Sequence, residues 1–405
     1  MKRHGIWLAA ISLGVVDAVL LRAFELAVNN GTNWLWNDVF QSNIHRWVVV
    51  PLAVVLSILL TYVIHTLGEH RAIPVETDEF KHLGSTTGSI QGIGVILAIG
   101  LMSLLAGAAL GPEAPLMAAS AALGAWAAGK AGMDSTKSLL ILSSIGALLV
   151  AFLGSMFMAL VPLLILLKQK QFKFYTIGVV AVATLSAFGV LQIIDHEHPG
   201  YGSAPPLPHV AVHDFVTALV VGFVATLFGL ALGLLTGTFG GYVKHYTGRL
   251  AWAVSAAAFG LALGVFYLLG GESIQFSGSE GSKLLASHSP QYGALALIGL
   301  VAAKLLATAW SKATGYRGGL VFPSIYIGVA LGLLTGQLNE SWAGAGAVIG
   351  GIGGTMSVVS DSPAVTAVIL FAVLPVKLLP VALLAVVGAA AGSKLFKHMA
   401  ATHAA

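Results

Sequence analysis

One carboxylic acid, Glu113, occupies a position at which an acid can do chemistry in this chain. It stands in the segment 111–115, Gly-Pro-Glu-Ala-Pro, between two long apolar stretches. Gly111 suits the cap of a helix and Pro112 suits its first position, so Glu113 is predicted to lie in the first helical turn. The amides and the positive end of the helix dipole attract negative charge there, either the carboxylate or an anion in transit.

An isolated carboxylate between apolar runs is costly at membrane depth, which makes Glu113 a functional candidate by default. If its side chain is protonated or swings aside, a permeant anion can take its place at the helix start. We therefore interpret Glu113 as a gate. The alternative is an acid that only caps a helix at the membrane interface, because helix starts favour acids.

The segment 319–323, Gly-Leu-Val-Phe-Pro, repeats this frame at an offset of 208 residues. A duplicated helix start inside a membrane protein indicates a substrate site. The second copy carries no acid, so the amides of Leu320 and Val321 are predicted to bind an anion without gating it. Phe322 and Tyr326 either line an apolar constriction or simply pack. The same offset aligns Ser103 with Ser311, Gly107 with Gly315, Gly111 with Gly319 and Pro115 with Pro323.

Two further groups of polar residues are weaker candidates. Asp17, Arg22 and Glu25 interrupt the first apolar run. Arg22 and Glu25 are three residues apart and are predicted to neutralise each other, which we favour over a functional role. The segment 195–198, Asp-His-Glu-His, could hold a metal, but at most two of its side chains could converge, so a solvated linker is favoured. No metal and no cofactor is predicted.

The composition places the chain in a lipid bilayer, with 57% hydrophobic residues, 9% charged residues and a mean hydropathy of +0.90. Because spanning backbone must satisfy its hydrogen bonds internally, we expect an all-α polytopic membrane protein with well over ten helical segments. Runs of transmembrane length lie at about 46–67, 90–110, 138–167, 213–238, 250–270 and 291–309. Shorter runs at about 114–130, 319–336 and 376–392 predict broken helices that start or stop at mid-depth.

The predicted organisation is a single transmembrane domain over residues 1–405. Its first half covers about 1–195 and its second half about 213–405, joined by an acidic, proline-rich extramembrane linker over about 196–212. Basic residues cluster near both ends and in short loops, which predicts cytoplasmic termini in a multi-pass protein of the cell inner (plasma) membrane. The first helix is expected to be retained rather than cleaved.

Several function classes lose support from the sequence. Basic residues near the chain ends and in the short loops account for the net charge of +4, so no nucleic-acid partner is predicted. No phosphate-binding loop is present, so pumping driven by ATP is not expected. An intramembrane enzyme would draw on Ser143, Ser144 and Asp361, for which no base stands at a readable spacing. A proton-coupled solute transporter needs more acids at mid-depth, where Glu113 is nearly alone. We therefore predict a transporter and not an enzyme.

The segment 111–115 resembles the central motif of the CLC family of chloride channels and proton-coupled transporters, which usually has a basic residue, Glu, Gly and Pro. The segment 319–323 is similar to the second anion-binding helix start of that family, with Phe one place later.

Two shorter segments resemble other parts of the anion site of the same family. The segment 70–74 is similar to the loop that brings a serine to the ion, but Arg71 stands in place of the serine. The segment 394–396 is similar to the one that brings a tyrosine hydroxyl, which Phe396 lacks.

The resemblance implies a homodimer with one anion pathway per subunit. Each subunit would consist of two inverted halves whose broken, re-entrant helices aim their N-termini at mid-membrane. Glu113 would be the gating glutamate, and no soluble regulatory domain is expected after Lys397. The implied anion-binding residues are Gly111, Ala114, Leu320, Val321, Phe322, Arg71, Ala72, Ile73 and Phe396.

The implied substrate is an inorganic anion, with chloride or another halide favoured. Fluoride, bicarbonate and nitrate remain alternatives, because Arg71 could hold a planar oxyanion through two hydrogen bonds or could instead pair with Glu69 or Glu76. Channel activity and proton-coupled exchange both stay open. The proton-coupled members carry an internal acid, and none lies between Phe157 and Leu167, which favours passive or weakly coupled anion movement.

Overall fold

The computed structural model describes residues 2–38, 46–67, 88–194, 207, 210–247, 251–287 and 291–403. These residues form fifteen α-helices, which confirms the expected all-α architecture of well over ten helical segments. The helices are α1 (Lys2–Thr32), α2 (Val49–Leu67), α3 (Ile90–Leu105), α4 (Glu113–Lys130), α5 (Lys137–Leu153), α6 (Leu160–Lys168), α7 (Phe174–Ile194), α8 (His213–Thr247), α9 (Trp252–Gly270), α10 (Ser279–Ser287), α11 (Ala294–Ala313), α12 (Val321–Leu338), α13 (Ala345–Val359), α14 (Pro363–Val373) and α15 (Leu379–His403).

Eight helical segments within the described ranges are long and apolar enough to cross a membrane. The predicted first helix is confirmed as α1, and a π-helical turn over Asn33–Asp38 follows it. Helices suit this setting because each satisfies its own backbone hydrogen bonds without water.

Hydropathy predicted one continuous run of transmembrane length at 138–167. The structure divides this run between two helices, α5 and α6. α5 ends at Leu153, and Gly154 follows with a left-handed φ of 63°, which glycine adopts without strain. The amide of Ser155 then donates to the carbonyl oxygen of Val150 at 3.2 Å and closes the helix end. The chain restarts as α6. The predicted runs also omitted α7, α10, α13 and α14.

The chain forms two compact units, of which the first consists of Met1–Asn30, Leu67–Leu101 and Glu113–Ser203. Its centre is α5, which is buried along its length and packs against α4 and α7. α1 lies against α7, where Gly14 approaches the carbonyl oxygen of Ala183 so closely that no side chain fits. The sequence predicted that residues from about 1 to 195 form the first half of one transmembrane domain, and this division stays a prediction.

The second unit consists of Gly31–Thr66, Met102–Pro112 and Ala204–Ala405. Within it α8 packs against α13 and α15, and α12 packs against α13. Gly328 and Gly332 of α12 allow this close packing, because a methyl group at either would overlap the backbone of α13. The loop Met102–Pro112 thus groups with helices that follow much later in the chain.

Candidate functional site

The loops that precede the two predicted helix starts are paired by their backbones. The amide of Gly111 donates to the carbonyl oxygen of Gly319 at 2.9 Å, and the amide of Gly319 donates to that of Gly111 at 2.7 Å. This is the isolated antiparallel bridge of the described structure. Both loops belong to the second compact unit. Because Gly111 and Gly319 are equivalent positions of the repeat, the reciprocal bonds show that the two loops meet at equivalent glycines.

Two serine contacts repeat the same relationship. The amide of Arg317 donates to Ser103 Oγ at 2.9 Å, and the amide of Ala109 donates to Ser311 Oγ at 3.1 Å. Adding the repeat offset of 208 to 103 and to 109 gives 311 and 317, so each bond is the image of the other. Reciprocal bonds around an antiparallel bridge define a local twofold axis. The loops 103–111 and 311–319 are therefore inverted relative to each other.

Equivalent glycines shape both loops. Gly107 and Gly315 each have φ of 87°, a left-handed conformation that favours glycine. The first loop is also held from outside the repeat, because Trp36 Nε1 donates to the carbonyl oxygen of Leu105 at 2.9 Å and the Tyr267 hydroxyl donates to that of Gly107. A turn anchored at several points is held rigidly.

The first predicted helix start lies one residue later than expected, and the prediction that Glu113 stands in the first turn is confirmed. α4 begins at Glu113, so Pro112 precedes the helix by one residue and Glu113 opens its first turn. Glu113 is buried, with 3% of its surface exposed, and Ala114 beside it is half-buried. A buried acid in the first turn faces the positive end of the helix dipole. This arrangement can hold a carboxylate or exchange it for another anion.

The second predicted helix start is also confirmed, since α12 begins at Val321. Leu320 precedes the helix, and its apolar side chain makes no capping hydrogen bond. Val321 and Phe322 are both buried. The start of α12 thus combines a positive dipole end with an apolar surround, and it carries no acid of its own.

Tyr326, one turn further along α12, is fully buried and makes polar contacts. Its hydroxyl lies 3.1 Å from Ser273 Oγ, and its ring lies 5.5 Å from the ammonium group of Lys304. The side chain of Tyr326 therefore contacts two polar groups, the hydroxyl of Ser273 and the side-chain nitrogen of Lys304.

Lys304 is a buried charged residue that the sequence reasoning missed. Its ammonium group donates to the carbonyl oxygens of Ile274, at 2.9 Å, and Phe276, at 2.6 Å. The sequence did contain an indication of this residue, because Lys304 interrupts the apolar run at 291–309. Ionisable residues inside membrane segments are functional candidates.

Asp17 is a second residue whose surroundings the sequence did not reveal. The predicted neighbours Arg22 and Glu25 contact each other at 3.6 Å, as expected. Asp17 is fully buried and accepts hydrogen bonds from the hydroxyls of Ser120 and Ser144. Ser144 therefore serves a carboxylate, and this contact is not the serine–base pair that an intramembrane enzyme requires.

The structure describes only some of the remaining predicted residues. Arg71, Ala72 and Ile73, like the segment 195–198, lie outside the described residues. Phe396 lies in the continuous helix α15, half-buried, with its ring centre 5.3 Å from that of Phe223. Among the described residues no three His, Asp or Glu side chains gather as a metal site.

Known proteins resemble this chain over most of its length. The family model of the voltage gated chloride channel matches residues 89–394. The protein YfeO of Salmonella schwarzengrund (strain CVM19633), whose name refers to ion transport, is 25% identical over 345 residues, which cover 81% of this chain and 79% of YfeO. YfeO of Salmonella choleraesuis (strain SC-B67) is 26% identical over 346 residues, with the same coverage.

Solved structures share the fold. A slow cyanobacterial Cl−/H+ antiporter superposes with a TM-score of 0.76 at 18% identity, covering 98% of both chains. A CLC-type fluoride/proton antiporter superposes with a TM-score of 0.75 at 15% identity, covering 95% of this chain and 94% of the other. At such identities the likeness concerns the fold alone.

Proposed function

This chain belongs to the voltage gated chloride channel family and transports anions across a membrane, and from that premise we propose that Glu113 gates a chloride pathway. The observation that carries the proposal is the position of Glu113, a buried acid in the first turn of α4. It directly follows the loop that is paired with the loop before α12.

The gate works by competition for the positive end of a helix. When Glu113 is ionised, its carboxylate is the negative charge that the first turn of α4 stabilises. When Glu113 is protonated, the neutral side chain loses this attraction, and a chloride ion replaces it near Gly111 and Ala114. Anion flux through this gate therefore depends on pH.

The start of α12 supplies binding without a gate. The amides of Leu320 and Val321 stabilise the anion through the helix dipole, and Phe322 gives the site an apolar wall. The absence of an acid from the segment 319–323 makes this end permanently attractive to anions. The twofold bond pattern at Gly111 and Gly319 relates the two loops that precede these helix starts.

Chloride is the favoured substrate, and other anions are alternatives. The two solved structures of similar fold are a Cl−/H+ antiporter and a fluoride/proton antiporter, and their TM-scores of 0.76 and 0.75 do not separate chloride from fluoride. Arg71 would favour a planar oxyanion such as bicarbonate or nitrate if its guanidinium group reaches the pathway. The resemblance implies that Ala72, Ile73 and Phe396 line the pathway beside the ion, and this stays part of the proposal.

The proposed setting is the cell inner membrane, with cytoplasmic termini and a homodimer that has one pathway per subunit. The family and the eight membrane-length helices found in the described ranges support a role in transport rather than in catalysis.

Anion efflux from liposomes tests the proposal. Purified protein is reconstituted into vesicles loaded with potassium chloride, and efflux is started with a potassium ionophore and followed with a chloride electrode. We expect efflux that depends on pH in the wild type and loses that dependence in Glu113→Gln. Glu280→Gln is the matched control, because its side chain is 80% exposed. Silent vesicles would contradict transport, and unchanged pH dependence in Glu113→Gln would contradict gating. Repeating the assay with fluoride, nitrate and bicarbonate ranks the substrates.

A further inference from the structure

Asp17 is a buried acid whose two carboxylate oxygens both accept hydrogen bonds from serine hydroxyls. Ser120 Oγ donates to Oδ1 at 2.7 Å, and Ser144 Oγ donates to Oδ2 at 2.6 Å. All three side chains are fully buried. Each carboxylate oxygen thus has one hydroxyl donor, from α4 on one side and from α5 on the other.

The same site can also hold the protonated acid. A hydroxyl group is both a donor and an acceptor, so either serine can rotate and accept a hydrogen bond from a protonated Asp17. A lysine or arginine partner would instead fix the group in its ionised form. Hydroxyl partners therefore allow a proton to bind and leave without a large rearrangement.

The groups around Asp17 leave its charge without a nearby basic partner among the described residues. α1 packs against α3, α4, α5 and α7 in the first compact unit. α3 and α7 contain no acidic or basic residue, and Tyr175 of α7 contacts Trp7 instead. The basic residues of α4 and α5, Lys130 and Lys137, stand at the ends of their helices. On α1, Arg22 contacts Glu25.

The position of Asp17 relates it to the gate. Its partner Ser120 follows Glu113 by seven residues on α4, which is two helical turns and about 10 Å on the same face. Ser120 precedes the exposed Lys130, at the opposite end of α4, by ten residues, or about 15 Å. The hydroxyls thus hold Asp17 partway between the gate and the exposed end of that helix.

We propose that the carboxyl group of Asp17, held by Ser120 and Ser144, is a second proton-binding site that couples proton movement to anion transport. The inference rests on the proposed gating role of Glu113. Two carboxylates in one low-dielectric interior disfavour each other's ionisation, more strongly the closer they lie. Protonation of one site therefore promotes proton release from the other. Asp17 supplies the internal acid that the segment 157–167 lacks.

Proton and anion fluxes measured separately test this site. Wild-type protein in chloride liposomes is given a pH gradient with no chloride gradient, and the two fluxes are followed with a pH dye and a chloride electrode. We expect the pH gradient to drive chloride uphill. In Asp17→Asn we expect proton flux to fall by about tenfold or more while chloride flux persists, since the amide cannot bind a proton in this range.

Two serine variants keep the proposal testable if Asp17→Asn folds poorly. Ser120→Ala and Ser144→Ala retain the carboxyl group but each removes one donor to its ionised form. We expect the pH of half-maximal proton flux to move upward in both variants, because the carboxylate loses stabilisation relative to the acid. A purely structural contact would not move this value, so an unchanged midpoint in both variants overturns the proposal.

The remaining outcomes separate this inference from the proposed function. Chloride transport that ignores the pH gradient in the wild type overturns the role of Asp17 and leaves anion transport intact. Wild-type vesicles that move no anion overturn the proposed function itself. An equal loss of both fluxes in monodisperse Asp17→Asn protein assigns the residue to structure and overturns the proposal. Glu25→Gln and Asp361→Asn are the matched controls, expected to keep the wild-type ratio of the two fluxes.

Discussion

Gly111 and Gly319 each donate a backbone hydrogen bond to the carbonyl oxygen of the other, at 2.9 and 2.7 Å. The pair lies on the local twofold axis of a repeat whose two copies are 208 residues apart in the sequence. The exchange fixes the loop before α12 against the loop before α4, so the helix starts depend on a backbone contact that tolerates little added volume.

Gly318→Ala should disturb this contact. The added methyl group would lie 2.9 Å from the carbonyl oxygen of Gly111 and still closer to the side chain of Leu110. We expect a loss of about 1 to 3 kcal/mol in stability, as for other overpacked sites, together with reduced anion flux. Thermal unfolding in detergent and liposome efflux measure the two effects.

Gly299→Ala is the control for that substitution. Gly299 lies in α11, and a methyl group there meets no atom within 4 Å. Alanine favours the helix by up to about 1 kcal/mol, so this variant should be unchanged or slightly more stable. Equal destabilisation by both substitutions would contradict the role of the glycine pair.

Gly107→Ala and Gly315→Ala compare equivalent positions of the two repeats. Both glycines have φ of 87°, so each alanine introduces backbone strain of about 1 to 2 kcal/mol. At Gly107 the methyl group would also lie 2.7 Å from the ring of Trp36, whereas at Gly315 it meets open space. We expect a larger drop in the unfolding temperature for Gly107→Ala, and equal drops would speak against the contact with Trp36.

Glu113→Ala and Glu113→Gln probe the gate in different ways. Glutamine mimics the protonated side chain, and alanine leaves the place at the helix start open to the anion. Both variants should transport chloride at neutral pH at least as fast as the wild type does at acidic pH. Efflux measured over a pH series checks this, with Glu280→Gln as the control. A wild-type pH profile in both variants would assign Glu113 to capping only.

Lys304→Met should destabilise the second compact unit. Methionine fills a similar volume but leaves the buried carbonyl oxygens of Ile274 and Phe276 without their donor. The expected cost is about 1 to 3 kcal/mol for each unsatisfied group. Lys283→Met is the control, because its ion pair with Glu280 is exposed and contributes at most about 1 kcal/mol. Similar thermal unfolding of the two variants would contradict the prediction.

Much of the fold was readable because the signals act locally. The glycine and proline residues at 111–115 and 319–323 predicted both helix starts to within one or two residues. Hydropathy predicted most long helices, but it ran through Gly154, where a left-handed glycine ends α5 inside an apolar stretch. Run length alone does not register a turn when the residues on both sides of it are apolar.

By itself the sequence determined the membrane class, the repeat and the acid at a helix start, since composition and helix-start chemistry are properties of neighbouring residues. Only the tertiary structure decided that the repeats meet at Gly111 and Gly319, and that Asp17 lies between hydroxyls 103 and 127 residues away. Such contacts form because packed helices bring distant residues together and because a buried polar group must find its hydrogen-bond partner wherever the fold provides one.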